Sequence, residues 1–148
     1  MNAHSKIAVA ALCGTLLGLP AAQAVAQSSM KTVYVELGTS ESDFAVYPEV
    51  LTLKSGEEYR LVLVNWSREH RHAVMAPEFE RTIVTKDIRT FPERVKMPSA
   101  SVDTGIDLPP GARVEMYFVP QKEGRYKLFC QDQVHTRAGM EVAIDVRR

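Results

Sequence analysis

Residues 112–130 read "ARVEMYFVPQKEGRYKLFC". Two alternating runs flank one polar turn. Val114, Met116 and Phe118 share a face of the first run, and Tyr126, Leu128 and Cys130 share a face of the second. A two-residue period marks a strand with one face buried, and "QKEG" between the runs supplies the turn. The same grammar extends outward. "KTVYVEL" (31–37) alternates Val33, Val35 and Leu37. "YRLVLVNW" (59–66) follows the polar turn "KSGEE" and is apolar on both faces from Leu61 to Val64, as a central strand should be. "MEVAIDV" (140–146) puts Val142, Ile144 and Val146 on one face. This spacing of runs and turns predicts an all-β, two-sheet antiparallel β-sandwich of seven to eight strands. Residues 76–108 are less regular. Pro77, Pro92 and Pro98 exclude a long helix there, and a short helical turn near Phe79–Ile83 fits.

The start of the chain follows different rules. "MNAHSK" carries one lysine, "IAVAALCGTLLGL" is apolar, and "PAAQAVAQ" is rich in small residues. That is the order of a secretory signal, with cleavage expected after Ala24 or Ala26. The apolar run is shorter than the roughly 20 residues a membrane-crossing helix needs. Residues 27–148 then form a single domain in an exported, periplasm-type compartment. Lys6 is the only charged residue of the signal, so the mature part holds 17 basic and 18 acidic side chains. Near-neutrality without charge blocks excludes a general nucleic-acid or membrane-surface binder. Cys13 leaves with the signal, and Cys130 remains as a single thiol in a compartment that favours disulfides.

Alone, a cysteine on an apolar strand face is ordinarily a small buried hydrophobe. Cys130 is not alone. It opens "CQDQVHTRAGM" (130–140), where Cys130, His135 and Met140 stand five residues apart in a loop between two strands. Thiolate, imidazole and thioether together favour copper, and a His2Cys set with a long axial Met is the electron-transfer copper arrangement. Zinc would take a harder fourth ligand than a thioether. A second histidine must come from elsewhere. Outside the signal only His70, His72 and His135 exist. His70 and His72, at i and i+2, share a side if extended, about 7 Å apart.

With these residues in view, the chain resembles the cupredoxins, the blue copper proteins that include plastocyanin, azurin and rusticyanin. "CQDQVHTRAGM" is similar to their C-x4-H-x4-M loop. "LVLVNWSREHRHAVMAPEF" (61–79) resembles their strand, asparagine and ligand histidine, and "LPPGARVEMYFVPQKEGRYKLFC" (108–130) resembles the strand-turn-strand leading to the ligand cysteine. The likeness spans roughly residues 59–146. It implies a Greek-key β-sandwich and one Cu(I)/Cu(II) ion held by His72, Cys130, His135 and Met140. Matching "HAVMAPEF" to the family's H-x-F-x-A-P-E-F form favours His72, with His70 as the alternative. It also implies that Asn65 ties the ligand loops by hydrogen bonds, where a plain strand-end turn would serve equally. Three departures stand out. Gln133-Val134 occupy the place of a frequent Pro-Gly, Ala73 follows His72 where some members have Asn, and no second glycine follows Met140. Asp132 adds a carboxylate near the loop, either tuning the site or facing water.

The resemblance implies a one-electron carrier and not an enzyme, since copper nitrite reductases and multicopper oxidases need further histidines for a second copper centre. Transient redox partners would dock around His135, with Val134, Thr136, Ala138 and Arg137 as neighbours. Two other roles fit the same ligands: copper delivery, which "HRH" and scattered methionines support, and an assembly module of a larger complex.

Overall fold

The two alternating runs that flank "QKEG" do become consecutive strands, but they lie in different sheets. The computed structural model describes residues 29–39, 42–92 and 104–148. The signal-like start, its cleavage positions after Ala24 or Ala26, and Pro98 lie outside the described residues. Ten strands are described: β1 (Lys31–Leu37), β2 (Val46–Tyr47), β3 (Val50–Lys54), β4 (Tyr59–Asn65), β5 (His72–Met75), β6 (Ile83–Phe91), β7 (Ile106–Leu108), β8 (Arg113–Pro120), β9 (Gly124–Cys130) and β10 (Glu141–Arg147). Two short helices interrupt them, α1 (Pro77–Glu80) and α2 (Gln133–Arg137).

The strands form two five-stranded sheets, in the orders β2-β1-β4-β8-β6 and β3-β10-β9-β5-β7. The sandwich is as expected. The strand number is higher than seven to eight, and the sheets are not purely antiparallel. β1 runs parallel to β4, pairing Lys31 with Tyr59 through Leu37 with Asn65. β3 runs parallel to β10. The chain crosses between sheets from β2 to β3 and again from β3 to β4, and this brings strands of like direction together. Residue alternation fixes which face of a strand is buried and carries no record of the neighbour's direction.

Burial follows the alternation closely. Val114, Met116 and Phe118 of β8 point inward against Leu61, Leu63 and Tyr59 of β4. Leu128 of β9 pairs with Val142 of β10, and Tyr126 with Ile144. β4 is the middle strand of its sheet, and Val62, on the face away from the core, is nevertheless buried. Its ladder partners there, Tyr34 and Glu115, flank it. Phe118 centres the aromatic core, stacking on Tyr59 with centroids 5.9 Å apart and meeting Phe79 edge-on at 5.6 Å.

The irregular middle resolves into two elements. The helical turn starts at Pro77, two residues before the expected position, because proline is pre-set for a first helical turn. It buries Phe79. Ile83–Phe91 is one nine-residue strand whose pattern is broken by a bulge between Thr85 and Asp87. The extra residue shifts the alternation by one, so that Ile88 enters the core.

One end of the sandwich gathers the segments of chemical interest. β4 ends there at Asn65, β5 starts at His72, β9 ends at Cys130 and β10 starts at Glu141. Phe118→Ala should cost about 3–5 kcal/mol by removing the buried ring at the centre of the aromatic core. Urea denaturation of the metal-free protein measures this, and a loss below about 1 kcal/mol would show that the ring does not anchor the two sheets.

Candidate metal centre

Cys130 is the last residue of β9 and is buried. The chain beyond it does not loop freely. The Asp132 side chain accepts from Val134 N at 2.7 Å, capping a helix that begins at Gln133. A capping carboxylate satisfies a helix N–H that has no partner within the helix. Asp132 thus has a structural task, and Gln133-Val134, which depart from a frequent Pro-Gly, form the first helical positions. The Thr136 hydroxyl donates to Cys130 O at 2.6 Å. One helical turn carries His135 back over the cysteine, with its Nδ1 3.5 Å from Cys130 Sγ. Gly139, at φ +103, then turns the chain. Met140 closes the segment through its backbone. Its carbonyl accepts from Cys130 N at 3.2 Å, and its N–H donates to His135 O at 3.1 Å. The Met140 side chain is buried in the core cluster that also holds Cys130.

The second histidine is His72. It is the first residue of β5, fully buried, and its Nδ1 lies 3.3 Å from His135 Nδ1. Donor atoms of His72, Cys130 and His135 all lie within 4.8 Å of one another. His70 lies outside this group. Its side chain is 41% exposed and its Nδ1 contacts Asp43 Oδ2 at 2.9 Å. The i, i+2 argument fails for His70 because it precedes the strand, where no two-residue period holds.

Asn65 sets the path from β4 to His72. It is fully buried, and its Nδ2 donates to His70 O at 2.9 Å and Leu108 O at 2.8 Å. Its Oδ1 accepts from Ser67 N at 2.9 Å. Asn65 thus ties the segment that leads to His72 to β7, and its bonds do not reach the Cys130–Met140 loop. Burial pushes the His72 pKa below the ordinary imidazole value; neighbouring His135 adds to the effect and the Asp43 backbone opposes it.

Sequence reasoning missed Asp43, Phe44 and Ser67. Phe44 lies over the site with its ring centroid 4.7 Å from that of His135 and 4.7 Å from that of His70. It leaves the His135 side chain only 12% exposed. "SDFAVYP" (42–48) carries no spacing signal that links it to residues thirty to ninety positions away. For Ser67 a faint signal existed, since Asn-x-Ser after a strand fits an Asx turn.

Three electron-pair donors within 4.8 Å of one another repel unless a proton or cation lies among them. Donors about 2.0–2.3 Å from one metal ion stand roughly 3.3–3.8 Å apart in trigonal or tetrahedral arrangements. The 3.3 Å and 3.5 Å separations in this cluster fit that range.

No family model and no curated protein matches the sequence. Solved structures do match. Auracyanin B superposes with a TM-score of 0.53 at 17% identity, over 82% of this chain and 91% of that one. Auracyanin from the photosynthetic bacterium Roseiflexus castenholzii gives 0.54 at 16% identity, over 80% and 98%. The chain has the cupredoxin fold. Copper nitrite reductase from Nitrosomonas europaea shares it, with a TM-score of 0.57 at 11% identity, over 80% of this chain but 49% of the larger protein. At such identities the likeness is one of architecture, and the donor cluster is this chain's own observation.

Titrating a divalent metal into the apo protein separates the two candidate histidines. His72→Ala should weaken binding by more than about a hundredfold, beyond the 10–100-fold typical of losing a mere supporting group. His70→Ala should change it by less than about tenfold. The opposite ranking would move the ligand to His70.

Proposed function

We propose that this chain is an exported mononuclear copper protein that carries single electrons between redox partners. The convergence of His72 Nδ1, His135 Nδ1 and Cys130 Sγ at one buried point carries the proposal. The cupredoxin fold and the soft donor chemistry support it. Imidazole suits several metals, but thiolate with a neighbouring thioether favours copper. Copper bound there would supply one-electron exchange between Cu(I) and Cu(II).

The residues divide the work. Cys130 would bind as thiolate, giving up its proton to do so. His72 and His135 would each offer an imidazole nitrogen. Met140, whose backbone bonds to both Cys130 and His135, would add its thioether as a further, soft ligand. Cys130 and His72 sit on paired strands of one sheet, since Val74 of β5 is the ladder partner of Cys130. Donors fixed on packed strands move little when charge changes, which keeps the cost of electron exchange small.

Four protein donors would hold the ion without calling on a substrate, so we read the protein as a carrier and not an enzyme. Only two histidines besides His70 lie outside the signal-like start, and both are used here. Export is supported by that start. No helix among the described residues is long and apolar enough to cross a membrane. Partners would dock at the His135 end, where Val134 is 66% exposed and Arg137 is also exposed. A small, transient contact suits such a role, and Arg137 adds charge selectivity.

One equivalent of Cu(II) added to apo protein should raise an intense thiolate-to-copper band in the visible spectrum, absent in Cys130→Ser. A colourless product from correctly folded protein would defeat the blue-copper reading. Reversible cycling with both oxidation states retained is expected of a carrier. Loss of Cu(I) to a modest competing chelator would point to copper delivery, and co-purification with fixed subunits to an assembly role.

A further inference from the structure

A histidine can offer Nδ1 to a metal only while its single proton sits on Nε2. His72 turns Nδ1 toward His135, and its Nε2 lies 2.7 Å from Ser67 Oγ. Both residues are buried, His72 completely. A serine hydroxyl can donate or accept, so this contact alone leaves the tautomer open. The next contact closes the question. Ser67 Oγ lies 2.9 Å from Asp43 O, a carbonyl that only accepts. The hydroxyl proton is therefore committed to Asp43, and Ser67 is left as an acceptor for the His72 ring. The relay runs from His72 Nε2–H to Ser67 Oγ, and from Ser67 Oγ–H to Asp43 O.

The space for this hydroxyl is built. Ser67 N donates to Asn65 Oδ1 at 2.9 Å, which fixes the serine backbone. Gly38, at φ +78, passes so close that a Cβ there would stand 2.5 Å from Ser67 Oγ and 2.7 Å from Ser67 N. A side chain at that position would expel the hydroxyl. The far end of the relay is anchored as well. Asp43 Oδ2 meets His70 Nδ1 at 2.9 Å, Arg68 N donates to Asp43 Oδ1 at 3.3 Å, and adjacent Phe44 lies over His135.

We propose that Ser67 is a positioning residue that holds His72 as the Nε2–H tautomer before any metal arrives, and that links this ligand to the Asp43–Phe44 segment covering the other histidine. The consequence for metal binding rests on reading His72 as a ligand; the tautomer itself does not. An apo site with one tautomer needs no proton shift within the ring when a cation binds. A mixed population would lose affinity in proportion to its wrong fraction.

Nitrogen-15 NMR of the histidine rings in the metal-free protein tests this. The expected wild-type result is a protonated Nε2 and an unprotonated Nδ1 on His72, with a cross-peak from the Nε2 proton to the Ser67 β-protons. Ser67→Ala should move the two ring shifts toward each other as tautomers mix, and should lower Cu(II) affinity about 10–100-fold. Gly38→Ala should give the same spectral change by displacing Oγ. A wild-type His72 protonated on Nδ1, or one lacking the cross-peak, would overturn the relay without use of a variant. So would a Ser67→Ala protein that keeps the pure Nε2–H tautomer. The two readings fail separately. A tautomer lost in Ser67→Ala, together with no copper band in the wild type, would keep the relay and remove the copper function. A normal band with an unaltered tautomer would do the reverse.

Discussion

The site depends on how the β9–β10 ladder ends. Across these strands, backbone pairing runs from Gly124 with Val146 up to Phe129 with Glu141. It then continues for one more bond, from Cys130 N to Met140 O. That bond closes a loop in which the Met140 N–H, donating to His135 O, draws the histidine inward. Three soft or borderline donors at five-residue spacing would mean little on a slack loop. Here the loop is bounded by a sheet, wound into a capped helical turn and tied across its neck. Ordering it separately would cost about 1–2 kcal/mol per residue of backbone entropy. The sheet has already met much of that cost through packing that the core needs anyway.

Much of this was legible in the sequence, for identifiable reasons. A two-residue period shows which side chains of β1, β4, β8, β9 and β10 are buried, because it reports on one strand at a time. The Cys130, His135 and Met140 positions were legible because their spacing lies within one loop. Long-range pairing was not legible. The parallel partnerships of β1 with β4 and of β3 with β10 depend on where the chain crosses between sheets. The strand Ile83–Phe91 was hidden because its bulge puts Ile83 and Ile88 on one face at an odd spacing.

The histidine pair shows the same limit at smaller scale. The i, i+2 rule alone could not separate His70 from His72, because it presumes an extended chain; only the motif match favoured His72. The strand begins only at His72. Asn65 takes up the His70 carbonyl, and Asp43 takes up the His70 ring. Asp132 was likewise visible as a charge near the loop but not as a helix cap, because its partner is a backbone N–H two residues on. Gly38 and Ser67 meet only after β1 and β4 have paired in register, and no local pattern encodes that meeting.

The extra residue in β6 also protects the molecule from its own kind. β6 is the outer strand of its sheet, with nine residues and Val84 exposed along it. A flat, regular strand of that length would offer an unpaired row of N–H and C=O groups, a template on which further chains could add. The bulge between Thr85 and Asp87 breaks the row near its middle and increases the local twist. Lys86, Asp87 and Arg89 place charges on the same stretch. A growing fibril would have to accept a misfit in register and desolvate those charges at every added copy. The irregularity that hid β6 from sequence reading thus also serves as a barrier to templated aggregation.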